Sequence, residues 1–268
     1  MQSMVIKQGL LLVALSFVNA QVVAFEFQNI ITLGDSLQDD PGGGRSPVAA
    51  QHIANRLGLP VTQFAQSGST SSDLIADGQP TQAAAQFGAG DLAFLWIGGN
   101  DFFGNPLDIA FGENDFLGPL VANAEMAIRT LREDDIEVVL LNLPDFSEVP
   151  GVISAVNLGT LGIPFLRNNA FENITDATIA WNHRLAGLAQ EYDATLVDVF
   201  SLFNDLQMDP SAFSLLGNDP ILNADTGCQF CVFFDDFLLP DVHPSSFAQG
   251  LLPTRQSQRL TRVTCPMA

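Results

Sequence analysis

The period of the hydrophobic pattern changes repeatedly along the chain. Asn29–Leu33 contains the apolar run Ile30-Ile31-Thr32-Leu33, which predicts a buried strand. Pro47–Leu57 has helical spacing and ends at Gly58, a residue suited to stopping a helix. A short second strand is expected just ahead of Phe64. Asp91–Ile97 is apolar almost throughout, as in a strand covered on both faces. Leu120, Ala124, Ala127, Ile128 and Leu131 fall on one face of a helix. Ile136–Leu141 predicts another buried strand. Thr175–Tyr192 returns to helical spacing through Ile179, Leu185 and Leu188, and Ala194–Val199 is the last clear strand. This alternation predicts an α/β fold, a parallel sheet with helices on both faces. Phe200–Pro240 shows few helix or strand signals and reads as a long loop. No shift of composition and no internal repeat divides the body of the chain.

The chain has 268 residues. Its beginning differs from the rest. Lys7 precedes the apolar stretch Gly9–Val18, and Val18-Asn19-Ala20 suits signal peptidase. Residues 1–20 therefore read as a signal peptide, with cleavage after Ala24 as an alternative, and 21–268 as a single catalytic domain. Export to an extracellular or periplasmic space follows. No apolar run in the body is long enough to span a bilayer. The net charge is −20, and the only lysine is Lys7. Such an acidic chain lacks the basic patches that nucleic acid requires, and its charge favours solubility.

The three cysteines, Cys228, Cys231 and Cys265, lack zinc-ligand spacing. In an exported chain they lead to a disulfide from Cys265 to one of the other two, with one thiol left over. Asn173-Ile174-Thr175 is a glycosylation sequon, meaningful in a eukaryotic host.

Three small-residue segments follow strands. Gly34-Asp35-Ser36-Leu37 leaves the first strand, Gly68 lies in the loop Phe64–Ser71, and Gly98-Gly99-Asn100-Asp101 leaves the Asp91–Ile97 strand. In a parallel sheet these loops share the carboxyl edge, where ligands bind. His243, before Pro244, lies past the last strand. This set suits acyl transfer: Ser36 as nucleophile and His243 as its general base. The backbone N–H groups of Ser36 and Gly68 and the side-chain amide of Asn100 would form the oxyanion hole. Glycine at 68 would permit close backbone approach. Phe102-Phe103, just past Asn100, could line an acyl groove or join the core.

These motifs resemble the GDSL family of the SGNH-hydrolase superfamily. Ile31–Leu37 resembles its first block, Phe64–Ser71 its second with Gly68 at the family glycine, Gly98–Asp101 its third with Asn100 at the family asparagine, and His243-Pro244-Ser245 its last. Leu143-Pro144-Asp145, Trp181-Asn182 and Val197-Asp198 are similar to segments of secreted bacterial members. The resemblance covers nearly the whole mature chain. It implies a three-layer α/β/α flavodoxin-like sandwich and serine ester hydrolysis without a metal or organic cofactor. A monomer acting on a small-molecule or lipid ester is expected.

Two positions depart from the pattern. The family's triad acid stands three residues before the histidine, where this chain has Pro240. Asp241 is the favoured substitute, with Asp235, Asp236 or a backbone carbonyl as alternatives. After Ser36, the run Gln38–Gly44 replaces the family's usual Ser-Asp-Thr-Gly-Asn-like sequence. Within the class, lipase, phospholipase, acyltransferase and carbohydrate O-acetyl esterase activities stay open. A catalytically weakened binding protein is the alternative from another class, and Pro240 is its support.

Overall fold

The structure is a computed structural model that describes residues 27–40 and 47–208. Five strands form one parallel sheet in the order β2-β1-β3-β4-β5. They are β1 (Asn29–Gly34), β2 (Val61–Gln63), β3 (Asp91–Trp96), β4 (Glu137–Leu141) and β5 (Thr195–Val197). The helices between and after them are α1 (Ala49–Leu57), α2 (Ser71–Ala76), α3 (Gln79–Ala84), α4 (Gly99–Gly104), α5 (Pro106–Ala110), α6 (Leu117–Glu133), α7 (Pro150–Gly159), α8 (Pro164–Glu191) and α9 (Val199–Met208).

Every residue of β3 is buried, because the strand is central and covered on both faces. Right-handed crossovers place α1, which leads outward from β1 to β2, on one face of the sheet. The connections running the other way lie on the opposite face, where α3, α6 and α8 pack in sequence. Ile30, Leu33, Phe94, Leu140 and Trp181 lie in the buried core. The fold is the three-layer α/β sandwich expected from the alternation of strands and helices. Successive strands are added outward on one side of β1 and then on the other, so the strand order switches between β1 and β3, where a crevice is expected at their carboxyl ends.

Several elements differ from the sequence-based expectation. α8 begins eleven residues before Thr175, because Pro164 fits the first turn of a helix, where its missing N–H costs nothing. Ile179 lies off the buried face of α8, which runs through Ile174, Thr178, Trp181, Leu185 and Leu188. The start of the expected Phe200–Pro240 loop is helical, as α9. Asn142 Oδ1 accepts from Val199 N at 2.6 Å and Phe200 N at 3.1 Å. Asp198 accepts from Ser201 N at 3.1 Å, and Val199, Leu202 and Phe203 are buried at helical spacing. The remainder of that loop lies outside the described residues.

Asn173 is half-buried inside α8 and donates to Ala110 O at 2.9 Å, while Thr175 Oγ1 donates to Ser147 Oγ at 2.9 Å. Both polar side chains of the sequon thus take part in the packing of α8.

Candidate active site

Three loops meet at the carboxyl ends of β1, β2 and β3. Ser36 sits in a turn that closes straight after β1. Gln38 N and Asp39 N both donate to Asp35 O, at 3.1 and 2.9 Å. The chain makes one tight turn and does not enter a helix there.

Gly34 is what permits the turn. Its φ is +119°, and a Cβ at this position would stand 1.9 Å from Trp96 O. Buried Gln79 holds the Gly34 peptide on both sides: Oε1 accepts from Gly34 N at 2.9 Å and Nε2 donates to Gly34 O at 3.1 Å. Asp35 N then donates to Trp96 O at 3.3 Å, tying the exit of β1 to that of β3.

The second loop is fixed one hydrogen at a time. Phe64 N and Ala65 N donate to Thr32 O, Gln66 N to Gly34 O, and Ser69 N to Gln66 O. Ser67 N donates to Asp39 Oδ2 at 2.8 Å, Thr70 N to Asp73 Oδ2 at 2.9 Å, and Ser71 N to Asp101 Oδ2 at 2.8 Å. Between Phe64 and Ser71 only the Gly68 N–H has no partner among the described residues. Gly68 adopts φ +87°, with nothing within 4 Å of where a Cβ would stand. The left-handed backbone at this position favours glycine.

The third loop supplies Asn100 at the start of α4. Its Nδ2 donates to Ser69 O at 2.9 Å, which sets the amide against the second loop. A primary amide has two N–H bonds, so one stays available to a substrate oxygen. Gly98, with φ +116°, lies over buried Trp181, whose Nε1 would be 3.4 Å from an added Cβ. Phe102 is fully buried and packs edge-on to Phe116 at 4.9 Å, so it belongs to the core. Phe103 is half-buried against Phe146.

Ser36, Gly68 and Asn100 are thus carried on three loops bonded directly to one another. His243, Pro240, Asp241, Asp235, Asp236 and the three cysteines lie outside the described residues. Four positioning residues escaped the sequence reading: Gln79, Asp39, Gln63 and Asp101. Gln63 Nε2 donates to Asp39 Oδ1 at 2.5 Å and so steadies the carboxylate that holds Ser67. Asp39 falls in the run that departs from the family pattern. Nothing in a single sequence marks a buried glutamine 45 positions from its glycine partner.

Burial dominates the electrostatics. Desolvation pushes the Asp35 carboxyl up to about 7; the Leu37 N–H pulls it down, and the nearby charge of Asp101 adds to the rise. Asp35 Oδ2 has no hydrogen-bond partner among the described residues. Asp101 is also raised, again by desolvation, against the lowering effect of its bonds from Ser71.

A raised carboxyl makes stability fall with pH. Between about pH 4 and 7 folded Asp35 keeps a proton that the unfolded chain has released, so the unfolded state binds fewer protons. Unfolding free energy should drop across that window by up to about 4 kcal/mol from Asp35, then level off. Asp35→Asn keeps an acceptor for Leu37 N without the titration. Urea unfolding from pH 4 to 8 should show a much shallower decline in this variant; identical slopes in the two proteins would refute the assignment.

The chain matches the GDSL-like Lipase/Acylhydrolase family over residues 32–248 and belongs to that family. Solved structures with the same fold include phospholipase A1 from Streptomyces albidoflavus, with TM-score 0.55, 18% identity, and 86% of this chain and 99% of that chain covered. An extracellular lipase from Streptomyces rimosus aligns with TM-score 0.56 and 20% identity, covering 86% of this chain and 99% of that one. A catalytic mutant of an acetylxylan esterase from Geobacillus stearothermophilus gives TM-score 0.52 and 17% identity, covering 88% and 94%. A comparison with curated protein sequences found no match. The chain is therefore a hydrolase of the GDSL type with an SGNH fold, and the family supports ester hydrolysis. Among the described residues no helix is long and apolar enough to cross a membrane.

Proposed function

We propose that the chain is an exported serine esterase that cleaves carboxylic esters through an acyl-enzyme on Ser36. The observation that carries this reading is the N–H at Gly68, the one donor of its loop without a partner among the described residues. Seven neighbouring donors in the loop are satisfied, and the one left over is at the family's oxyanion glycine. The Asn100 amide is bonded to the next residue of the same loop. Donors held in place before reaction stabilise a developing oxyanion without reorganisation.

Ser36 Oγ attacks the ester carbonyl carbon while His243 takes the hydroxyl proton. The carbonyl oxygen becomes an oxyanion facing the N–H groups of Ser36 and Gly68 and the Asn100 amide. Its collapse breaks the carbon–oxygen bond to the alcohol, which leaves with the proton from His243. Water, deprotonated by His243, then attacks the acyl-enzyme and releases the acid and Ser36. Asp241 orients His243 in this scheme, in place of an acid at the position of Pro240. Residues 1–20 direct export and are removed.

The test is the initial rate on p-nitrophenyl esters from acetyl to palmitoyl, together with labelling of Ser36 by a fluorophosphonate. Turnover and a covalent adduct on Ser36 are expected. The chain-length optimum separates an acetyl esterase from a lipase. A folded protein with neither turnover nor adduct would refute the esterase reading and favour a binding protein.

A further inference from the structure

The described surface exposes large apolar side chains unevenly. Most fall in two short segments: Leu107 and Phe111 at α5, and Leu158, Leu161, Ile163 and Phe165 around the α7–α8 turn. The segments touch. α5 packs on α7 and on α8, and a methyl added at Gly159 would come within 2.9 Å of Leu107 Cδ2. They form one apolar face.

That face lies on the carboxyl side of the sheet, the side that carries the candidate site. Asn182 pins α8 level with the exit of β4, because its amide accepts from Leu143 N at 3.0 Å and donates to Leu143 O at 2.8 Å. From Asn182 back to Pro164 the helix runs roughly 27 Å at about 1.5 Å per residue. The start of α8 and the turn before it therefore rise beyond the carboxyl edge that carries Ser36, Gly68 and Asn100.

Two independent observations mark the tip. Leu161 has φ +52° and is 83% exposed. Among the described residues the other non-glycine positions in that left-handed region are Asp135 and Asp193, a residue type that tolerates it better. Leucine is the poor local choice for this turn, and its side chain contacts little of the fold. The second observation is charge. No Asp or Glu occurs between Glu148 and Glu172, although the chain has 30 acids. Arg167 is the one charge in that stretch. Acids return at the border, at Asp108, Glu113 and Asp115.

We infer that this face docks on a zwitterionic phospholipid surface and brings the site to esters held there. The inference rests on the esterase reading and specifies the physical form of its substrate. Apolar side chains at the tip would enter the headgroup–acyl boundary. The acidic border and the net charge of −20 repel anionic lipid, which selects headgroups without net charge.

The test is cosedimentation of the mature protein with phosphatidylcholine vesicles, beside the double variant Leu161→Asn/Phe165→Glu. Asparagine accepts the left-handed turn, and an acid in the first turn of α8 suits the helix dipole, so neither change should harm the fold. The partition coefficient should fall by about tenfold or more in the variant. Turnover of soluble p-nitrophenyl acetate and the melting temperature should hold. Equal partitioning of the two proteins, or none by the parent, overturns the inference. So does a dimer in sedimentation velocity that the variant dissociates, which would assign the face to a second copy. Binding needs no turnover, so the Ser36→Ala protein separates the two claims. Binding without hydrolysis refutes only the activity, and hydrolysis without binding refutes only the docking.

Discussion

Replacing Ser36 by alanine should lower kcat for ester hydrolysis by at least about 10⁴-fold, with KM little changed. The expectation follows from what the substitution removes and what it leaves. It removes the hydroxyl that forms the acyl-enzyme. It leaves the backbone N–H of residue 36, the Gly68 N–H and the Asn100 amide held by Ser69 O. A residual rate above that of water is expected, because an intact oxyanion hole still stabilises attack by solvent. The turn geometry rests on Asp35, whose carbonyl accepts Gln38 N and Asp39 N, so the fold should persist. The decisive pair of measurements is the steady-state rate and the melting temperature. A variant that keeps more than a tenth of the parent rate would remove Ser36 from the mechanism.

The largest structural effect is expected at Gly34. An alanine Cβ would sit 1.9 Å from Trp96 O, far inside contact distance. The backbone cannot yield. Gly34 is in register with Trp96 across the β1–β3 pair, and both its peptide groups are gripped by Gln79. The positive φ of +119° adds strain for any L side chain. Gly34→Ala should destabilise the protein by about 4 kcal/mol or more, in the range reserved for special backbone positions and core clashes. Gly58→Ala is the control. Gly58 has a positive φ of +70° with nothing within 4 Å of its Cβ position, so its cost should be about 1 kcal/mol. Comparable urea midpoints for the two variants would show that the clash with Trp96 is relieved by a backbone shift.

Strands were the most legible elements in the sequence. β1, β3 and β4 each announce themselves as continuous apolar runs, because a strand covered on both faces has no polar side to show. α6 was legible for the complementary reason, with one buried stripe at helical spacing. The short helices α2 to α5 were not. They are short, and α2 for one is held partly from a distance, where Asp101 takes the Ser71 N–H and hydroxyl. α9 was missed although its signals were present, in Asp198 as a capping acid and Val199, Leu202 and Phe203 at helical spacing. The phenylalanines and acids around it read as loop. Ile179 is 48% exposed although the sequence reading groups it with Leu185 and Leu188, because separations of six and nine residues put it on the far side of the helix from both.

The sequence by itself determined the class of fold, the order of the strands' buried runs and the positions of Ser36, Gly68 and Asn100 at strand exits. Those are local properties: periodicity, a tight turn after an apolar run, a motif at fixed spacing. Only the tertiary structure decided which donors are free. Gly68 N–H has no partner among the described residues, while Asp39, Asp101 and Gln66 take hydrogens around it, the two acids from up to thirty positions away. The same holds for Asp35, whose carboxyl rises to about 7 through burial and the charge of Asp101. Hydrogen-bond satisfaction and desolvation depend on what surrounds a group in space, and a one-dimensional pattern carries no record of that.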